Sequence, residues 1–277
     1  MRLDNVSEQG QLYLKFMLYG ESGAGKTTLL GTAMDVPEMS PLLILNCVGN
    51  PFSLRRMVNP PTVIHLESYA DIETIYSWLD GGQDPKHDIP KAYEKKYGKP
   101  MPLPFKTVAV DSTTGLNGMY MRQSLGLTHI TDTKKATFDN WGGLLQYNEA
   151  IGFNFLEKLQ MHVIITALEW VEIDQLTSEK SWGVALYGKG QQVLPSYAYL
   201  TARIVRMQKI RADVVRDLAL SAEAYSVAFF DQVGKFAAKD LYGLGLRYMS
   251  EPTMARIWAA MNIGRGEGTT NPTDSKG

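Results

Sequence analysis

One stretch limits the possible folds more than any other: Gly20-Glu21-Ser22-Gly23-Ala24-Gly25-Lys26-Thr27-Thr28. It fits G-x-x-x-x-G-K-[ST] in full. The apolar run Leu12–Leu18 leads into it, and a stretch with helical character follows from near Lys26. Such a loop needs a strand to deliver it and a helix to leave it. Its glycines let successive backbone N–H groups turn inward around phosphate oxygens, and the helix N-terminus adds the positive end of its dipole. Gly20 to Thr28 are therefore expected to cradle the phosphates of a nucleotide, with Lys26 on the β- and γ-phosphates and the Thr27 hydroxyl on Mg²⁺.

The rest of the chain supplies the alternation that such a unit belongs to. Leu42–Cys47, Val63–Leu66, Thr107–Val110 and Met161–Leu168 have the length and apolarity of buried strands. Ser68–Leu79 and Leu144–Gln160 carry helical spacing. After Pro195 the pattern turns β-rich, with strands expected over Tyr199–Met207, Val214–Ala222 and Tyr225–Phe230. An α/β fold follows, a P-loop NTPase core with a mainly parallel central sheet and C-terminal β-hairpins. Residues 80–104, with Gly81-Gly82 and prolines at 85, 90, 100 and 102, read as a long loop or insertion. The core is expected to span 1–250, leaving 251–277 as a short helix and a frayed tail.

Composition removes several function classes. With 44% hydrophobic and 21% charged residues, the chain has the balance of a soluble globular protein. No apolar run nears the roughly 18 residues of a membrane span, and no signal-peptide pattern opens the sequence, so a cytoplasmic protein without membrane contact is expected. Twenty-eight basic against 29 acidic residues give a net charge of −1, which excludes a basic coat for nucleic acid but leaves room for a local basic channel inside an oligomer. The single cysteine, Cys47, excludes an internal disulfide. The four histidines lack paired metal-ligand spacing, which argues against zinc.

A second chemical element is Phe105-Lys-Thr-Val-Ala-Val-Asp111-Ser112. A carboxylate at the C-terminal end of a buried parallel strand lies in the crevice where α/β ligands bind. There Asp111 would hold Mg²⁺ through water, as a Walker B aspartate does. Hydrolysis also needs a group that orients the attacking water, and Glu21, Thr166 and Glu169 are the candidates. Arg203 and Arg206, three apart on an expected strand, must point to opposite faces. They fit a subunit interface or sheet edge first and a DNA contact second.

In order, these residues resemble the RecA-like core ATPases of phages in the Sak-four group, which are ATP-dependent single-strand annealing proteins. The resemblance is carried by Lys15–Thr28, Leu42–Asn50, Phe105–Ser112, Trp141–Leu145, Met161–Glu169 and Leu194-Pro195, and spans roughly residues 12 to 245. It implies a RecA-like core with ATP and Mg²⁺ between neighbouring subunits of a ring or filament, single-stranded DNA in loops facing the axis, and a single-strand DNA-binding protein as a further partner. Two stretches take the place of those loops: Thr113–Asn140 with Arg122, Lys134 and Lys135, and Val171–Gln192 with Lys180, Trp182, Tyr187 and Lys189. Both mix cations for phosphates with aromatic faces for bases.

The chain departs from the family pattern twice. Where a water-polarising glutamate is expected after the second strand, it has Val48, which neither accepts a proton nor orients water. Where family members resemble Ala-Lys-Asp-Arg, it has Ala238-Lys239-Asp240-Leu241, keeping Lys239 as the cation for a neighbour's nucleotide; Lys235 is a nearby substitute. Two alternatives stay open: ATP as an assembly switch with little hydrolysis, and an NTPase serving a protein partner without DNA.

Overall fold

The computed structural model describes residues 12–81, 88–129, 132–210, 222–231 and 236–263, the side chains of 208–210, 222, 223 and 263 excepted. The first strand, β1 (Lys15–Tyr19), is buried along its whole length and runs into the glycine loop, and α1 (Lys26–Gly31) leaves it. β2 (Leu42–Asn46), β3 (Thr62–His65), β4 (Thr107–Asp111) and β5 (His162–Ala167) follow, with α2 (Asp71–Leu79) and α3 (Ile89–Tyr97) between β3 and β4. α4 (Thr113–Ser124) and α5 (Phe138–Ile151) connect β4 to β5, the latter continuing as π-helical turns over Gly152–Lys158. Then come the hairpin β6 (Glu169–Ile173) and β7 (Lys180–Val184), α6 (Gly190–Tyr197), and the long strands β8 (Leu200–Ile210) and β9 (Ala222–Phe229). The short strands β10 (Lys239–Asp240) and β11 (Tyr248–Ser250) and the helix α7 (Met254–Ile263) complete the described part.

The strand order is β11-β9-β8-β1-β5-β4-β2-β3, with β10 also on β8. From β8 to β3 all pairings are parallel, while β9, β10 and β11 join antiparallel. This is the expected α/β core, with a mainly parallel sheet and antiparallel strands at its C-terminal side. The strands read as near-continuous apolar runs because helices cover both faces of the sheet. Alternate residues of β1 divide between two cores: Met17 and Tyr19 pack with α4, α5 and α6, and Phe16 and Leu18 with α1 and α7. No helix among the described residues is long and apolar enough to cross a membrane.

Three expectations need correction. The 80–104 stretch is not all loop, since it contains α3. Asp88 accepts a hydrogen bond from the Lys91 amide at 3.1 Å and Pro90 occupies the first turn, so the residues that looked like breakers start a helix. The first part of the first expected DNA loop, Thr113–Asn140, is helical, because the Ser112 hydroxyl caps the Gly115 amide and α4 begins there, while Lys134 and Lys135 stay outside helices. The second, Val171–Gln192, is largely the β6–β7 hairpin and α6. The strand expected at Val214–Ala222 lies almost wholly outside the described residues, as do Lys235 and the tail from Gly264.

Candidate nucleotide site

β5 lies between β1 and β4, and this arrangement builds the site. Its register sets Leu18 beside Thr166 and Val110 beside Ile165, so Thr166 arrives between the start of the glycine loop and the end of β4. The Thr166 hydroxyl donates to Asp111 Oδ1 at 2.5 Å, and the Thr27 hydroxyl donates to Asp111 Oδ2 at 2.6 Å. The Asp111 carboxylate is thus pinned by one group from α1 and one from β5, although the three lie far apart in sequence. On the other side of β4, Asn46 at the end of β2 pairs in register with Asp111. All these groups stand at the C-terminal edge of the parallel strands.

The glycine loop fits its surroundings closely. A side chain at Gly20 would run into the Ile204 carbonyl of β8, and Gly25 holds a φ of 102° with Ser226 of β9 packed against it. The Ser226 hydroxyl donates to Ala24 O at 2.8 Å, and Arg206 Nη1 donates to Gly23 O at 3.4 Å. The β8–β9 pair therefore braces the outer side of the loop. Lys26 is buried and donates to Gly20 O and Glu21 O at 2.8 and 2.7 Å. Burial pushes its ammonium below the ordinary lysine value, against the opposing pull of Asp111, Glu169 and Glu21. A phosphate arriving there would restore the favourable charge environment that burial removes.

A cavity of about 560 Å³ opens over this floor, lined by the loop, Lys26, Thr27, Thr28, Asp111, Asn46, Val48, Leu168 and Arg206, among others. Thr27 and Asp111 offer hard oxygen donors of the kind Mg²⁺ takes, and Lys26 stands beside them for phosphate. The residues present thus fit a magnesium–nucleotide complex. Asp111 is the one carboxylate lining this cavity among the described residues, and it is already held by two hydroxyls. Val48 is 62% exposed and faces the cavity beside the Gly115 backbone. Its neighbour Cys47 is buried, with a thiol pushed up to about 12, which leaves no thiolate for chemistry near neutral pH.

The remaining expected residues divide. Glu21 and Ser22 are exposed on the loop, and Thr28 is exposed at the start of α1. Glu169 does not stand free to orient water: Arg203 forks its carboxylate through Nε at 2.9 Å and Nη2 at 3.2 Å, and the Glu169 side chain is only 4% exposed. Lys239 sits on β10 opposite Thr201, and its ammonium donates to Ser196 O at 2.7 Å, not to the glycine loop. Arg122, Lys134, Lys135, Lys180 and Lys189 are exposed, Arg122 on α4 and Lys180 on β7. One face of the half-buried Trp182 ring is already taken, because the Arg203 guanidinium covers it at 4.4 Å. On the same hairpin, Trp170 is 52% exposed, and the rings of Trp141 and Tyr187 meet at 5.4 Å. Sequence reading passed over Trp170 because the alternation in Glu169–Ile173 merged with the preceding strand. The hairpin also carries Glu172 and Asp174 beside Lys180, a mixed charge for a phosphate contact.

No protein-family model matches the sequence, and no curated protein matches it. Among solved structures, the RadB recombinase aligns over 77% of this chain and 78% of its own, with 14% identity and a TM-score of 0.37. At that identity and score the likeness assigns no activity to this chain.

Proposed function

We propose that this chain is a RecA-like P-loop ATPase that assembles as a ring or filament on single-stranded DNA and promotes annealing or recombination in a phage. The observation that supports it most is the meeting of Lys26, Thr27 and Asp111 in one cavity, with the buried Thr166 behind holding Asp111, drawn from three separate parts of the chain. Lys26 binds phosphate, Thr27 and Asp111 hold Mg²⁺, and Thr166 fixes the Asp111 carboxylate in the orientation the metal's water shell needs. Mg²⁺, when bound, neutralises charge on the phosphates. Trp170, Trp141 and Tyr187 supply exposed aromatic faces for bases, with Lys180, Lys189 and Arg122 as cations, and Lys239 reaches a neighbour's nucleotide.

A second reading keeps the site and changes its use. Val48 and Leu168 line the cavity, and its one carboxylate among the described residues, Asp111, is already held by two hydroxyls, which favours ATP as an assembly switch with little turnover. The test is ATP hydrolysis with and without single-stranded DNA, in the parent and in Lys26→Ala. Turnover stimulated by DNA and lost in Lys26→Ala is the result expected of the annealing ATPase. DNA binding that depends on ATP without turnover selects the switch, and no response of binding or turnover to DNA sinks the recombination reading.

A further inference from the structure

β8 is the parallel neighbour of β1 and outlasts it. Tyr19, the last residue of β1, pairs with Arg203, so β8 continues alongside the glycine loop for several more residues. Successive side chains of a strand alternate in direction. Arg203 goes to one face, where Glu169 and the rings of Trp182 and Phe236 enclose it. Arg206 goes to the other and lines the nucleotide cavity. Among the described residues its side chain has one hydrogen bond, to Gly23 O at 3.4 Å, which is long, and the side chain is exposed.

The charge balance of the cavity gives this arginine work to do. A nucleoside triphosphate carries about four negative charges near neutral pH, and its magnesium ion offsets about two. Lys26 adds one positive charge and Asp111 one negative, which leaves about two negative charges without a partner. Among the described residues lining the cavity, Arg206 is the one cation besides Lys26. A guanidinium has a planar fork that matches phosphate oxygens, and it needs little reorganisation to leave a weak carbonyl contact for them.

We infer that Arg206 is a second phosphate-binding cation of this site, supplied within the same subunit, which releases Gly23 O and grips the polyphosphate chain when nucleotide binds. Ser226 stands opposite it on β9 and holds the next carbonyl, Ala24 O, so the loop keeps its outer support when the arginine moves. The inference rests on the nucleotide-site reading above, and the following experiment separates the two.

Calorimetric titrations with Mg·ATP and with Mg·tripolyphosphate, which has phosphates but neither base nor sugar, are compared for the parent, Arg206→Gln, Arg206→Lys and Lys26→Ala. Arg206→Gln is expected to weaken both ligands by the same factor, roughly ten- to a hundredfold, the range for one charge-assisted hydrogen-bonded contact. Arg206→Lys is expected to recover part of the loss, and the salt dependence of binding becomes shallower in Arg206→Gln. Because Arg206 is exposed, its variants should unfold at the parent's temperature, which thermal melts check. Equal affinity in the parent and Arg206→Gln overturns the inference while leaving the nucleotide site in place. So does a loss confined to ATP, which would put the arginine on the base or ribose. A parent that binds neither ligand sinks the nucleotide reading and the inference with it.

Discussion

The two sides of the nucleotide cavity are built from opposite materials. On the side of the glycine loop, polar groups interlock: Thr27 and Thr166 hold Asp111, Lys26 caps the loop's own carbonyls, and β8 and β9 brace the loop from outside. On the other side, Val48 and Leu168 offer methyl groups among neutral polar neighbours, Asn46, Asn50, Ser112 and Thr114, and no carboxylate. The nearest acidic candidate at a strand end, Glu169, is turned away and forked by Arg203. The contrast teaches that holding phosphate and activating water are separable tasks. On the proposed reading the described residues supply the first, while for the second no carboxylate besides Asp111 lines the cavity among them.

Three variants would break or sharpen that contrast. Glu169→Gln should have the largest effect, on stability. It leaves the guanidinium of Arg203, whose side chain is 13% exposed, without a counter-charge, and urea unfolding should show a loss of about 3 kcal/mol. Turnover per folded molecule should stay at the parent's level, and a catalytic collapse in protein that remains folded would restore Glu169 as a water-orienting group. Next comes Lys26→Ala, expected to weaken Mg·ATP binding roughly a hundredfold. Calorimetry that finds parental affinity would mean the interlocked side is not where phosphate binds. Smallest is Val48→Glu, which places a carboxylate on the aliphatic side. Steady-state hydrolysis should rise about tenfold, below the roughly hundredfold that a well-positioned general base supplies, because no surrounding contacts fix the new carboxylate. An unchanged rate would show that something other than the missing carboxylate limits turnover.

Much of this was legible in the chain, and what was not has physical reasons. The glycine loop and the strands Leu42–Asn46 and His162–Ala167 announce themselves because local chemistry and burial set them, and Asp111 follows from closing an apolar strand. That Thr166 serves Asp111 is different: it depends on β5 sliding between β1 and β4 in one register, and no local pattern encodes that. The alternation rule correctly sent Arg203 and Arg206 to opposite faces, but which face met the loop depended on how far β8 outruns β1. α4 hid behind Gly115 and Gly118, although its Ser112 cap stood in plain view. β6 and β7 read as loop because neither face of most of the hairpin is buried, so no apolar stripe marked it.

The insertion of β5 between β1 and β4 also orders events in time. A ribosome completes Lys26 and Asp111 long before it delivers Thr166, and β8, which braces the loop, comes later still. Until those strands emerge, the gap between β1 and β4 stays unfilled, and the future partners of Asp111 have no shared wall to meet on. On the proposed function, nucleotide meets the complete site only once most of the protein has been made, and the apolar edges of β1 and β4 must be kept from other chains until then.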